Sequence, residues 1–315
     1  MKIYHSTTAF NSTKKTSIVT IGTFDGVHIG HQEIIKSLVN NSVKNDNKSV
    51  ILTFFPHPRM VIQKGSELKL LTTLQEKIAL LEKTGLDFLI IEPFTKDFSR
   101  LTALDFVRDI LVQQLKIKKL VIGYDHHFGR NREGNFEQLK EYGTVYNFKV
   151  EEIPAQDIES IAVSSTKIRK ALAEGNIQKA NSYLGYEFML TGKVIHGKGL
   201  GKKWNYPTIN IHIEESYKLI PKSGVYIVKT NINNTNIFGI MNIGYRPTVD
   251  GKNQTIEVHL LDFNADLYGE NIQVQLAYHL RDEQKFDSID NLFNQIKQDE
   301  KKARELIASG KISFN

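Results

Sequence analysis

Cysteine is absent from this chain of 315 residues. Disulfides, thiolate nucleophiles and cysteine-based metal sites are therefore excluded, and a cytoplasmic location is expected. No apolar run approaches the roughly 20 residues that a membrane-spanning helix needs, and Met1–Ser6 lack the apolar core of a signal peptide. Membrane association is not expected. Repeats at solenoid period and long low-complexity tracts are missing too. What is present describes an ordinary globular protein, 40% hydrophobic and 24% charged, and longer than a typical single domain, so two domains are expected. Lysine and arginine total 41 against 35 acids, a net charge of +6. Such a balance suits anionic ligands, nucleotides or nucleic acid, although lysines scattered through Lys/Asn-rich loops read mostly as solvated surface. Without a recognised RNA- or DNA-binding signature, a nucleic-acid partner is not expected. Self-association is left open.

The first half alternates strand-like and helical patterns. Ser17–Ile21, Ser49–Phe54, Phe88–Ile91 and Lys119–Ile122 read as buried strands, and His31–Val43, Leu74–Lys83 and Leu104–Leu115 as helices. This order predicts an α/β domain of Rossmann-like type, with a parallel sheet covered by helices on both faces. The second half changes to short alternating segments: Phe188–Ile195, Gly224–Thr230, Phe238–Ile243, Thr255–Leu261 and Ile272–Leu280, with turn formers at Asn233-Asn234 and Asp250-Gly251. A small antiparallel barrel is predicted, followed by an amphipathic helix over about Ser288–Ser309. The pattern switches near Ser182–Glu187, which sets expected domains of 1–184 and 185–315.

Between the first strand and first helix runs Gly22-Thr23-Phe24-Asp25-Gly26-Val27-His28-Ile29-Gly30-His31. Glycines let backbone approach a phosphate, free amides at a helix start favour an anion, and His28 and His31 fall on one face of the opening turn. Two imidazoles there can donate hydrogen bonds to phosphoryl oxygens. A bare His-x-x-His also arises by chance or binds metal, but no carboxylate stands beside it at a familiar zinc spacing. Further on, Ser164-Ser165-Thr166-Lys167-Ile168-Arg169 puts hydroxyls at a helix N-cap position and Arg169 one turn in. Alone, that is a capped helix with an arginine. Strand, glycine loop, His-x-Gly-His and helix together resemble the nucleotidyltransferase superfamily that includes class I tRNA synthetases.

Two more segments follow strand ends: Thr53-Phe54-Phe55-Pro56-His57-Pro58-Arg59 and Gly123-Tyr124-Asp125-His126-His127-Phe128-Gly129. With these, nearly the whole chain resembles the bacterial bifunctional riboflavin kinase/FMN adenylyltransferases. The resemblance implies that His28, His31 and Arg169 hold the ATP phosphates. Gly22, Phe24, Asp25, Gly30, Ser164, Ser165 and Thr166 are then nucleotide contacts, and Pro56, His57 and Asp125 belong to flavin-side loops. His126-His127 departs from many relatives, which carry Phe followed by another residue.

In the second half, Gly192-Lys193-Val194-Ile195-His196-Gly197-Lys198-Gly199-Leu200-Gly201-Lys202 does not match the P-loop pattern. A loop so rich in amides and lysine can wrap a triphosphate, with Gly192, Lys198 and Gly201 as candidates, or be a basic barrel turn. Pro207-Thr208-Ile209-Asn210 resembles the Pro-Thr-Ala-Asn signature of riboflavin kinases. Thr208 and Asn210 are hard oxygen ligands alternating along a strand, suited to Mg²⁺. Asn205 and Ile209 replace the family's usual Gly and Ala and spare both ligands. Glu257, in the apolar run Ile256-Glu257-Val258, reads by itself as an outward-facing strand carboxylate. The resemblance makes it the base for the riboflavin 5′-hydroxyl, and Asn242, Arg281 and Glu283 flavin contacts. It implies riboflavin, FMN and FAD as substrates and products, with ATP as co-substrate. Loss of one of the two activities, leaving a flavin sensor, is the alternative.

Overall fold

The computed structural model describes residues 1–10, 16–63, 65, 67–123, 128–130, 133–153, 163–197, 206–248 and 251–312, with the side chains of 246–248 and 251–253 excepted. Two compact units result, Met1–Ser164 and Ser165–Asn315.

The first unit is a six-stranded parallel sheet. Its strands are β1 (Lys2–Tyr4), β2 (Ser17–Ile21), β3 (Lys48–Phe55), β4 (Phe88–Pro93), β5 (Ile117–Gly123) and β6 (Lys149–Ile153), in the order β1-β4-β3-β2-β5-β6. Its helices are α1 (Ile29–Lys44), α2 (Pro58–Ile62), α3 (Leu74–Glu82), α4 (Ala103–Asp105) and α5 (Phe136–Tyr146). Alternate residues of each central strand feed two separate cores. Val19, Val50, Leu52, Ile90, Leu120 and Ile122 pack with Val107, Leu111 and Leu139. On the other face, Ile18, Ile51, Leu89 and Val121 pack with Ile35, Leu38 and Leu81. Both faces are thus helix-covered, which is why these strands read as continuous apolar runs. Strand order reverses at β2, where β3 and β4 lie to one side and β5 to the other. The loop leaving β2 therefore opens at a topological switch point, where ligands of such sheets bind.

The helix expected over Leu104–Leu115 is present but wound differently. After α4 the chain continues as a π-helix over Phe106–Gln114, and the Leu115 amide donates to the Ile110 carbonyl five residues back at 2.9 Å. The strand β1, the helix α5 and the edge strand β6 escape the periodicity reading. β1 is only three residues long, and β6 carries Lys149, Glu151 and Glu152 on a half-covered edge.

The second unit starts with α6 (Ser165–Ala173) and α7 (Ile177–Leu184). It continues into a closed antiparallel barrel of β7 (Met189–Ile195), β8 (Ile209–His212), β9 (Gly224–Ile232), β10 (Thr235–Thr248), β11 (Gly251–Leu260) and β12 (Asn271–Asp282), ordered β10-β11-β8-β7-β12-β9. The expected α/β domain followed by a barrel and a C-terminal helix is what folds. Asn233 (φ 49°) and Asn234 (φ 63°) make the tight β9–β10 turn with both central residues left-handed. The Asn181 side chain ties α7 to the barrel, donating to Leu276 O and accepting from Phe188 N, each at 2.8 Å. The final helix, α8 (Ile289–Ala308), is capped by Ser288, whose hydroxyl accepts the Asn291 amide at 3.1 Å. Ala303, Leu306 and Ile307 seat it on the outer face of β9 and β12 through Val225, Ile227 and Leu280.

Candidate active sites

In the first unit, the turn after β2 folds inward. Phe24, Asp25 and Val27 are each 2% exposed. Phe24 (φ 47°), Gly26 (φ 80°) and Val27 (φ 36°) all have left-handed backbones. Glycine adopts that conformation freely, but a buried aromatic and a β-branched residue do not, so neighbours must hold the turn. Asp25 Oδ1 accepts the amides of Leu71 at 2.9 Å and Thr72 at 3.4 Å, and the Gly26 amide donates to Thr72 Oγ1 at 3.4 Å. The Asp25 carboxylate thus anchors the turn to a segment that sequence patterns did not single out. Gly22 is needed for closeness, since a Cβ there would stand 3.1 Å from the Phe24 ring.

The turn delivers His28 as the N-cap of α1, its Nδ1 accepting the His31 amide at 3.4 Å. The two imidazoles stack with centroids 3.6 Å apart and planes 18° from parallel, and Phe24 packs edge-on to His31 at 5.1 Å. Burial pushes His28 down to about 4. His31 is held well below the ordinary histidine value, first by burial and then by the charges of His28 and Lys77. Both rings are therefore neutral near pH 7, and a neutral His28 that accepts at Nδ1 carries its proton on Nε2. Gly30 is buried in the first turn of α1. His31 Nδ1 is buried without a hydrogen bond among the described residues.

His57 caps α2, its Nδ1 accepting the Arg59 amide at 3.2 Å, and exposed Pro56, joined to Phe55 by a cis peptide, precedes it. Asp125, His126, His127, Lys198, Gly201 and Asn205 lie outside the described residues. Ser164 ends the first unit. In the second, Ser165 opens α6, and Arg169 follows on the same face one turn later, both half-buried, while Thr166 is exposed.

The second unit holds a cavity of about 310 Å³ between the outer barrel face and α8, and six predicted residues line it: Thr208, Asn210, Asn242, Glu257, Arg281 and Glu283. Strand register explains the convergence. Glu257 on β11 stands opposite Asn210 on β8 and Asn242 on β10, so the three form one row across three strands. Ile256 and Val258 alternate into the barrel core. Glu257 does face outward, as its strand pattern suggests, but α8 roofs that face with Leu292, Phe293 and Ile296. A Cβ at Gly197 would fall 2.1 Å from Asn210 Nδ2, so bare backbone leaves Asn210 its room. Gly192 serves strand packing, since a Cβ there would meet His212 O at 2.4 Å.

Arg281 Nε and Nη2 bind the carboxylate of Asp299 at 2.8–3.0 Å, and Gln295 Nε2 donates to Asp299 Oδ1 at 3.0 Å. Glu283 Oε1 accepts the Tyr245 amide at 3.3 Å. Asp299 and Phe293 also line the cavity and were missed because α8 is distant in sequence and reads only as an amphipathic helix; Tyr206, His259 and Phe286, likewise in the lining, stand outside the motifs. Asp299→Ala would leave a largely buried guanidinium without its counter-charge. We expect a loss of about 3 kcal/mol, the lower end for a broken buried pair because Arg281 keeps some solvent access. A lower urea midpoint for the transition that riboflavin phosphorylation follows would register it.

Residues 10–167 match the family model described as FAD synthetase, and residues 184–307 the one described as riboflavin kinase. The bifunctional riboflavin kinase/FMN adenylyltransferase of Escherichia coli (strain K12) is 39% identical over 289 residues, 91% of this chain and 92% of that protein. The chain belongs to the bifunctional riboflavin kinase/FMN adenylyltransferase family. It is an enzyme of flavin-cofactor synthesis that phosphorylates riboflavin to FMN with ATP and adenylylates FMN to FAD. The Listeria monocytogenes (serovar 1/2a) member is 36% identical over 308 residues, 97% of each chain. Among solved structures, a chain described as a macrolide-efflux protein from Streptococcus pneumoniae superposes with a TM-score of 0.87 at 30% identity, covering 96% of this chain and 98% of that one. In the present chain no helix among the described residues is long and apolar enough to cross a membrane.

Proposed function

We propose that the two reactions use separate residue sets, with residues 1–184 serving adenylylation and 185–315 serving phosphorylation. The observation that carries the kinase half is the row Asn210–Glu257–Asn242 on the wall of one cavity. There Glu257 accepts the proton of the riboflavin 5′-hydroxyl as that oxygen attacks the γ-phosphorus of ATP and ADP departs. Arg281, neutralised by Asp299, and Glu283, bonded to the Tyr245 amide, shape the flavin end beside Asn242. The Gly192–Lys202 segment, Lys198 and Gly201 included, serves the triphosphate. Thr208 and Asn210 fit Mg²⁺, offering a hydroxyl and an amide oxygen where Gly197 keeps the space open. When bound, Mg²⁺ supplies charge neutralisation to the ATP phosphates.

In adenylylation, an FMN phosphate oxygen attacks the α-phosphorus of the second ATP, and the bond to the leaving pyrophosphate breaks. His28 and His31, as neutral donors, stabilise the charge that develops there. Gly22, Phe24, Asp25 and Gly30 build the turn that presents them. Ser164, Ser165, Thr166 and Arg169 supply the further phosphate contacts that the family resemblance implies, and Pro56, His57 and Asp125 the flavin side. Neither nucleic acid nor membrane has a part in this reading, and a cysteine-free enzyme acting on ATP fits a cytoplasmic setting.

The test is a chromatographic time course of purified protein with riboflavin, ATP and Mg²⁺. FMN should appear first and FAD after it, and excess EDTA should stop both. FMN accumulating without FAD would sink the adenylylation half, and undiminished turnover in EDTA would sink the metal assignment.

A further inference from the structure

Lys77, the fourth residue of α3, is only 4% exposed, and lysine is almost never buried so far without a paired charge. Its Nζ donates to the Thr23 carbonyl at 2.7 Å, an oxygen that also accepts from Thr53 Oγ1 at 3.3 Å. A neutral carbonyl offsets less of an ammonium's lost hydration than a carboxylate would. Asp25 favours the charged form of Lys77 from nearby, but burial outweighs it and pushes the ammonium down to about 8. Oδ1 of that same Asp25 already accepts the Leu71 and Thr72 amides. A methionine would fill the same space without the desolvation cost, so packing alone does not account for a lysine here.

The function lies in what Lys77 faces. Thr23 opens the turn whose left-handed residues Phe24, Gly26 and Val27 lead directly into His28. Groups beyond the turn hold it: Thr53 and Lys77 at its start, the 71–72 segment at its middle and Gln32 at its end. Lys77 alone among them brings a positive charge, which reaches His31 as well. The charged and titratable groups that act on it or feel it are Asp25 on the turn and His31 on α1, with His28 stacked on His31. On its own helix, neighbouring Glu76 is engaged in capping the Thr73 amide at 2.8 Å.

We propose that Lys77 is a positioning residue for adenylyl transfer, its buried ammonium holding the Thr23 carbonyl and, through the turn, the stacked pair His28 and His31 against the ATP phosphates. This rests on the assignment of those histidines to adenylyl transfer. The substrates are unchanged; Lys77, 54 residues beyond Thr23 and outside the glycine-loop motif, becomes part of that loop's machinery through α3.

The experiment uses the full chain with Lys77→Met and Lys77→Gln, assaying both reactions in the same preparation. In Lys77→Met, kcat for FAD formation from FMN should fall on the order of 100-fold, the scale of a misplaced catalytic group, with riboflavin phosphorylation unchanged. Lys77→Gln keeps a donor for Thr23 without a charge and should recover part of the loss. Wild-type adenylylation should decline on the alkaline side near pH 8, where the ammonium is lost, and that limb should be missing from Lys77→Gln. Wild-type adenylylation by Lys77→Met, or an alkaline limb retained in Lys77→Gln, overturns the proposal. So does loss of adenylylation accompanied by loss of cooperative thermal unfolding, which would make the lysine a folding residue only. His28→Asn, run beside these, separates the premise from the inference. If it too forms FAD at the wild-type rate, the histidine assignment fails and takes the proposal with it. An active Lys77→Met beside an inactive His28→Asn overturns the lysine inference alone.

Discussion

Glu257→Ala should lower FMN formation from riboflavin on the order of 100- to 10,000-fold, the range for loss of a positioned general base, while the chain still converts added FMN to FAD. The expectation follows from register. Glu257 pairs across to Asn210 and Asn242, on the face of β11 opposite to core residues Ile256 and Val258. Truncating it removes a carboxylate from a cavity wall and no packing from the barrel core, so the unit should keep its fold. Glu257→Gln sharpens the test. It keeps size and hydrogen bonding but cannot take up the hydroxyl proton, so it should be nearly as slow as the alanine variant. Parallel assays with riboflavin and with FMN measure the effect. A variant that loses both activities while folded would contradict two separate sites, and one that keeps phosphorylation would remove Glu257 from the chemistry.

The mirror result is expected in the first unit. His28→Ala should cut FMN adenylylation on the order of 100- to 1,000-fold, the cost of removing one donor to developing charge, and leave riboflavin phosphorylation intact. Here the structural role must be separated from the chemical one, because His28 also caps α1 through its Nδ1. Losing a cap costs about 1 kcal/mol, and asparagine is a strong capping residue. His28→Asn should therefore restore the thermal stability lost in the alanine variant without restoring activity. If asparagine rescues turnover fully, the imidazole is a cap and not a catalyst. The pair also carries a pH signature. Its folded-state pKa values lie below the ordinary histidine value, His28 near about 4. The unfolded chain therefore binds more protons in the window from about 6.5 down to about 4. Stability due to the neutral pair is fully present above about pH 6.5 and is lost as pH falls through that window. An acid titration of wild type against His28→Asn should show the variant less sensitive there.

Much of this was legible in one dimension because it depends on local chemistry. Buried parallel strands show as apolar runs such as Ser17–Ile21 and Phe88–Ile91, since both faces are covered. Around His28, a left-handed backbone at Gly26 and the close approach of the Phe24 ring to Gly22 left two glycines in the turn. The barrel was readable from alternation and from Asn233-Asn234, and strands β9 to β12 extend the segments expected. The short or charged elements were not legible. β6 lies at a sheet edge and β1 has three residues, so neither needs a long apolar pattern. The π-winding of Phe106–Gln114 keeps a helical composition and differs only in its hydrogen bonds.

The sequence by itself determined the order of the main elements and the change from an α/β sheet to a barrel with a C-terminal helix, because periodicity and turn chemistry act between near neighbours. Only the tertiary structure decided which residues stand together and in what state. Register across three strands made a row of Asn210, Glu257 and Asn242, and the terminal helix turned an outward barrel face into a cavity and gave Arg281 its partner Asp299. Burial made the two histidines neutral and set a lysine from α3 beneath their turn. Desolvation and the partner of a charge depend on what packs around a group in three dimensions, and the chain brings those neighbours from far along its length.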